Sequence, residues 1–250
     1  ANQSAPTTVV SKTGEIVHLS NDVISLEIDT LGATVVKAEL LKHLDENKKP
    51  IVLFDRSTQR QYYARSGLVS ASGLDLPNHT QNFSVTKNQQ SNTITFVAEK
   101  NGVRLEKSMT LPSGAYVLDV KHVLKNNTKQ ALDATLYTEL VRDGGKLDES
   151  HFYSTFTGPA VYSESDKFHK IEFADIDKNK AKIPPTQAKG QSAWVAMIQH
   201  YFVTAWVPSF DSDRDVYAGK LENNQYRVGV QAKYAGLGAG EERIEQTRLF

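Results

Sequence analysis

Twelve residues, DSDRDVYAGKLE from 211 to 222, carry the spacing most suggestive of metal chemistry in this chain. Asp211, Asp213, Asp215 and Glu222 stand at positions 1, 3, 5 and 12 of a calcium-loop count. Two features oppose that reading. Position 6 is Val216 where the loop needs glycine for its sharp turn, and the preceding FVTAWVP reads as a strand where an entering helix is required. A solvated loop between strands is the expectation. The stretch SASGLDL at 70–76 lacks the first glycine of a nucleophile elbow and its strand-to-helix setting. The seven histidines, at 18, 43, 79, 122, 151, 169 and 200, show neither HxH nor HExxH spacing, so they read as surface or satisfied core residues. With no cysteine, disulfides, thiol nucleophiles and cysteine-based zinc sites are excluded. Paired carboxylates for glycoside chemistry must face each other across a cleft, and linear order does not show which of 29 acidic residues do so. No catalytic, cofactor or metal residue is therefore assigned.

The elements that would position such groups are strands. In DVISLEID, Ile24, Leu26 and Ile28 face one way and Ser25, Glu27 and Asp29 the other. In GAYVLDVKHVLKNN the apolar face is Tyr116, Leu118, Val120 and Leu124, with His122 in register. ALDATLYTEL repeats the device with Leu132, Ala134, Leu136 and Leu140. Turn signals recur between runs, at Leu31-Gly32, Asn101-Gly102, Pro112-Ser113-Gly114, Asn126-Asn127, Gly144-Gly145, Pro184-Pro185 and Asn223-Asn224. The pattern predicts an all-β fold with minor α content, antiparallel sheets packed face to face, and no parallel nucleotide-binding sheet. HLDENKKPI is the best helical candidate, short and close to Pro50.

Composition narrows the class. The 250 residues suit one large sandwich, since such domains reach about 200–250 residues. Residues 15–250 read as one domain, because KIPPTQAKGQ is too modest a linker to divide them. Residues 1–14, small and polar, read as a flexible linker, and GEERIEQTRLF as a strand cut part way. Basic and acidic residues balance at 29 each, which gives no electrostatic footprint for nucleic acid or anionic lipid. No stretch reaches the roughly 18–20 apolar residues of a membrane helix; even SAWVAMIQHYFVTAWVP, 192–208, is interrupted by Ser192, Gln199, His200 and Thr204. That segment reads as two strands, about 193–198 and 202–207, buried on both faces with Trp194 and Trp206 inside.

Four segments in order resemble the first periplasmic domain of the bacterial membrane protein insertase family YidC. They are LSNDVISLEIDTLGATVVKAEL, GVRLEKSMTLPSGAYVLDVKHVLKN, TFTGPAVYSESDKFHKIEF and the tryptophan-bearing segment itself. The third matches the family pattern at Phe156, Gly158, Ala160, Tyr162 and Ser163; the fourth matches from Trp194 to Met197 and from Tyr201 through Phe202 and Trp206 to Pro208. The resemblance covers about residues 15–250. It implies a large twisted β-supersandwich of the galactose-mutarotase type, preceded by a tether after a transmembrane helix and followed by a five-helix membrane core. The implied role is that of an accessory domain, periplasmic and carried by the bacterial inner membrane, without catalysis of its own. Its implied partners are Sec translocon accessory subunits or emerging membrane proteins, with a sheet edge or groove as the binding surface. A mutarotase-like carbohydrate-active enzyme, or a module binding carbohydrate or peptide, is the alternative that the same fold allows.

Overall fold

A computed structural model describes residues 13–145, 156–199, 201–209 and 211–250. The expected linker lies outside the described residues except for Thr13 and Gly14, and so do His151 and His200. Among the described residues, seventeen strands and one short helix follow in chain order. The first group is β1 (Ile16–Ser20), β2 (Ile24–Asp29), β3 (Thr34–Leu44), β4 (Pro50–Arg56) and β5 (Gln61–Val69). Then come β6 (Ser84–Asn88), β7 (Thr93–Lys100), β8 (Val103–Thr110), β9 (Leu118–Asn126) and β10 (Leu132–Asp143). The last group is β11 (Thr157–Ser163), β12 (Lys167–Lys170), α1 (Phe173–Asp177), β13 (Ala193–Gln199), β14 (Phe202–Pro208), β15 (Arg214–Lys220), β16 (Gln225–Leu237) and β17 (Glu242–Leu249).

They form two antiparallel sheets, in order β1-β2-β3-β4-β5-β10-β16-β15 and β12-β11-β13-β14-β17-β9-β8-β7-β6. The facing sides meet in one continuous apolar core that draws Ile24, Leu26 and Ile28 from β2, Leu105 and Met109 from β8, and Leu118, Val120 and Leu124 from β9. The period-two reading holds at each of these strands, because only alternate side chains can leave water when one face of a sheet is covered. His122 takes its place in register and is fully buried. Leu136 and Leu140 of β10 also point into this core.

The helical candidate HLDENKKPI is corrected. β3 runs through His43 to Leu44, and β4 begins at Pro50. The Asp45 carboxylate accepts the main-chain N–H groups of Asn47 (2.8 Å) and Lys49 (2.9 Å), so the segment closes as a capped hairpin turn. The helix that does form, α1, is a five-residue turn anchored by buried Ile176. The proline segment after it folds back onto β15 through the bridge Gln187 to Arg214.

Candidate functional site

Residues of the third and fourth recognisable segments become neighbours on β11, β13 and β14. Tyr162 stands opposite Trp194 in the ladder, and their rings stack at 5.5 Å with planes 5° apart. Phe168 of β12 closes against Trp194 at 6.0 Å. Ala160, Ala196 and Ala205 align across the three strands beside this stack as a small apolar cluster. A Cβ on Gly158 would come within 3.0 Å of the Phe156 ring and 3.1 Å of the Ile171 carbonyl oxygen, so glycine permits that close approach. The Lys170 ammonium sits 4.8 Å from the Phe156 ring centre, and the Ser163 hydroxyl accepts the Asp166 N–H at 3.0 Å.

The placement of the tryptophans inside is half corrected. Trp206 is buried in the core, but Trp194 lies on the outer face and is half-buried. Val195 pairs with Trp206, so Trp194 falls one residue out of phase with the inner face. Tyr201, at the connection between β13 and β14, is 82% exposed, whereas Phe202 is half-buried and Pro208 buried.

Phe202 lines an apolar cleft of about 230 Å³ between the two sheets. Leu26, Leu40 and Phe54 form its wall on one sheet, and Leu111, Leu118 and Leu249 on the other. β14 pairs with β17 only from Trp206 to Pro208, extended by the reciprocal main-chain bonds of Ala205 and Phe250 at 2.9 Å. Phe202 pairs with Gln199 and Val203 with Ile198 of β13. Val203 is 53% exposed there. The chemistry on offer is an apolar trough between the sheets, which suits an apolar chain segment.

A second, polar cluster lies on the outward face of the eight-stranded sheet. Glu139 of β10, fully buried, accepts from Arg65 Nε through one oxygen and from the Tyr217 hydroxyl (2.8 Å) through the other, with Arg227 3.7 Å away. Burial works against the charge on Arg65, and Glu139 outweighs it, so the guanidinium is held protonated. Burial and the Glu139 charge push the phenols of Tyr137 and Tyr217 up. The Tyr137 hydroxyl hydrogen-bonds His79 Nδ1. A glutamate and a histidine do share this face, but both carboxylate oxygens are engaged and the cavity beside them measures about 40 Å³. Small-molecule sites span hundreds of Å³, so a hexose finds no room. Sequence reasoning passed over this cluster because Tyr137 and Glu139 alternate with Leu136 and Leu140 and read as the solvated face.

A third cluster lies between the sheets. The Lys107 ammonium, fully buried, donates to the carbonyls of Gly32 and Ser66, each at 2.7 Å, and sits 4.7 Å from the Phe83 ring centre. His122 Nε2 pairs with the Ser66 hydroxyl at 3.0 Å. Burial lowers Lys107 to about 7. Burial, with the Lys107 charge, lowers His122 to about 3.

The four acidic residues in calcium spacing do not converge. Asp213 accepts the Lys189 N–H at 2.9 Å, and Asp215 lies in β15, taking the Thr186 hydroxyl at 2.5 Å and pairing with Lys233. Burial raises the Asp215 carboxyl, but those partners hold it below the usual range. Glu222 lies in the exposed turn beyond β15. Among the described residues no group of three metal-ligating side chains forms. The serines of SASGLDL pair with each other, Ser70 Oγ to Ser72 Oγ at 2.9 Å, in an exposed bend.

Two face-to-face antiparallel sheets of this order define the galactose-mutarotase type of β-sandwich. A galactose mutarotase related enzyme from Lactobacillus acidophilus superposes with a TM-score of 0.63 over 94% of this chain and 96% of its own, at 11% identity. A putative aldose 1-epimerase from Escherichia coli K12 gives 0.56 over 94% and 98%, at 10% identity. Identities this low speak for the fold alone. Residues 16–250 match the family described as the YidC periplasmic domain, and the chain belongs to that family. It is 43% identical to the membrane protein insertase YidC of Polynucleobacter necessarius subsp. necessarius over 242 residues, covering 93% of this chain and 43% of the relative. The insertase of Ralstonia nicotianae is likewise 43% identical over 258 residues, covering 100% and 46%. The chain thus spans less than half the length of these relatives. Among the described residues no helix is long and apolar enough to cross a membrane.

Proposed function

We propose that residues 15–250 form one periplasmic accessory unit of an inner-membrane protein insertase, with no chemistry of its own. Its task is to hold extended apolar segments of emerging membrane proteins while they pass to the lipid phase, with or without the Sec translocon. The observation that carries this reading is the apolar cleft between the two sheets, lined by Leu26, Leu40, Phe54, Leu111 and Phe202. An extended apolar segment laid in that cleft buries its side chains against both sheets. Sec accessory subunits are the second class of partner, served by the outer strands β1, β15, β6 and β12.

The test places a photo-activatable side chain at Val203 in the full-length insertase during synthesis of a membrane protein. A control position is Glu106, on the outward side of β8. Crosslinks to the nascent chain at Val203, and none at Glu106, are the expected result. Equal yields at the two positions, or none at either, sink the proposal. Crosslinks at Val203 to the insertase's own polypeptide in place of the nascent chain also reject it. The same samples, probed for Sec accessory subunits, read out the second class of partner.

A further inference from the structure

The cavity of about 40 Å³ on the outward face of the eight-stranded sheet is walled by Leu31, Thr34, Arg56, Tyr63, Arg65 and His79, with Gln61 at its margin. Arg65 is 3% exposed. Its Nε serves Glu139, but its Nη2 is sealed from solvent and has no hydrogen-bond partner among the described residues. A guanidinium offers five donors in a rigid fork, and a buried donor without an acceptor is a costly state.

Neither nearby acid supplies the missing acceptor. The second oxygen of Glu139 is engaged by Tyr217. Asp29 receives the N–H groups of Gly14 and Leu31, each at 2.8 Å, on one oxygen and Arg56 on the other. Arg56 and Arg65 therefore share one cavity wall, Arg56 paired with Asp29 and Arg65 with Glu139 through its Nε, and the Arg65 Nη2 donor is left over. The space exceeds the roughly 10–15 Å³ that one water needs and falls far short of a sugar site of hundreds of Å³. A water could accept one hydrogen bond, and the absence of saturable chloride broadening is the result that would assign the cavity to water.

We propose that this cavity is a site for a small monovalent anion, a halide or the carboxylate head of a small acid. Arg65 Nη2 is the principal donor and Arg56 the second cation. The site lies on the opposite side of the eight-stranded sheet from the apolar cleft, so its failure and that of the proposed function are separable.

The test is the chloride NMR line width of the folded 250-residue chain, titrated with protein at constant ionic strength and then with sodium formate. Saturable broadening that formate reverses is the expected result. Arg65→Gln should weaken binding about tenfold or more, as loss of a charge-assisted bond does, with the near-ultraviolet circular dichroism unchanged. Where Arg65→Gln does not fold, Arg56→Gln replaces it and should also weaken binding. Non-saturable broadening in the parent chain overturns the site. So does broadening that formate leaves intact, or broadening undiminished in whichever variant folds.

Discussion

The indole N–H of Trp206 on β14 donates to the main-chain carbonyl of Glu139 on β10, 3.2 Å away across the sandwich. The same residue thus serves two layers: its backbone receives the core tryptophan, and its carboxylate organises the outward cluster with Arg65 and Tyr217. Trp206→Phe keeps most of the ring volume and removes the donor. It should cost about 1–2 kcal/mol, the worth of one buried hydrogen bond with some repacking. Trp206→Ala, which also leaves a cavity, should cost about 3–5 kcal/mol. Urea unfolding followed by far-ultraviolet circular dichroism checks both, and a Trp206→Phe protein as stable as the parent would show that the bond contributes nothing.

The two tryptophans should separate by quenching. In Trp206→Phe the emission comes from half-buried Trp194, stacked on Tyr162 at the outer face. In Trp194→Phe it comes from Trp206, at 2% exposure. Acrylamide should quench the first protein more strongly, with emission at longer wavelength. Indistinguishable quenching would contradict the outward position of Trp194.

Most strands were legible because one covered face forces period two, as in Ile24, Leu26 and Ile28 of β2 or Leu118, Val120 and Leu124 of β9. Trp194 was not, since β13 and β14 carry apolar residues on both faces and alternation alone cannot say which phase meets the core. The outward cluster was hidden for the reverse reason. Glu139 and Tyr137 have the phase of a solvated face, yet His79, from the segment between β5 and β6, closes over Tyr137. Ion pairs such as Arg214 with Glu245 (3.1 Å) join residues far apart in the chain, and no local spacing announces them. The apolar cleft depends on which strands the two sheets bring face to face, and that pairs residues far apart in the chain. Phe202, which lines it, was singled out through resemblance, not through its chemistry.

Glu139→Gln removes the charge that Arg65 meets inside the protein while keeping the shape of the side chain. Breaking a buried pair from one side leaves an uncompensated cation, and losses of about 3–5 kcal/mol are usual. The expected result is a comparable drop in unfolding free energy, with greater accessibility of the outward cluster in amide hydrogen exchange along β5 and β10. The double change Glu139→Gln with Arg65→Met should recover part of that loss, because it removes the stranded charge as well. A double variant weaker than the single one by the full cost of Arg65→Met alone would mean the two residues are not coupled.

Lys107 and His122 give the fold a pH dependence on the alkaline side of neutrality and another on the acid side. Lys107 faces the carbonyls of Gly32 and Ser66, the Phe83 ring and His122, and burial brings it from 10.5 to about 7. Between about 7 and 10.5 the unfolded chain keeps this proton and the folded chain has released it. The unfolded state then binds more protons, so stability rises with pH across that window. At about 1.4 kcal/mol per pH unit the full span is on the order of 5 kcal/mol. His122, brought from 6.5 to about 3, acts in the same direction lower down: its contribution is complete above 6.5 and is lost as pH falls toward 3. Tyr62 and Tyr137, raised by burial, oppose the trend only once pH passes the ordinary tyrosine value of 10.0. Urea midpoints measured from pH 7 to about 9.5, below the tyrosine range, should therefore climb in the parent chain. They should stay flat in Lys107→Met, whose side chain has no proton to lose. A Lys107→Met protein with the parent's slope would remove Lys107 as its source.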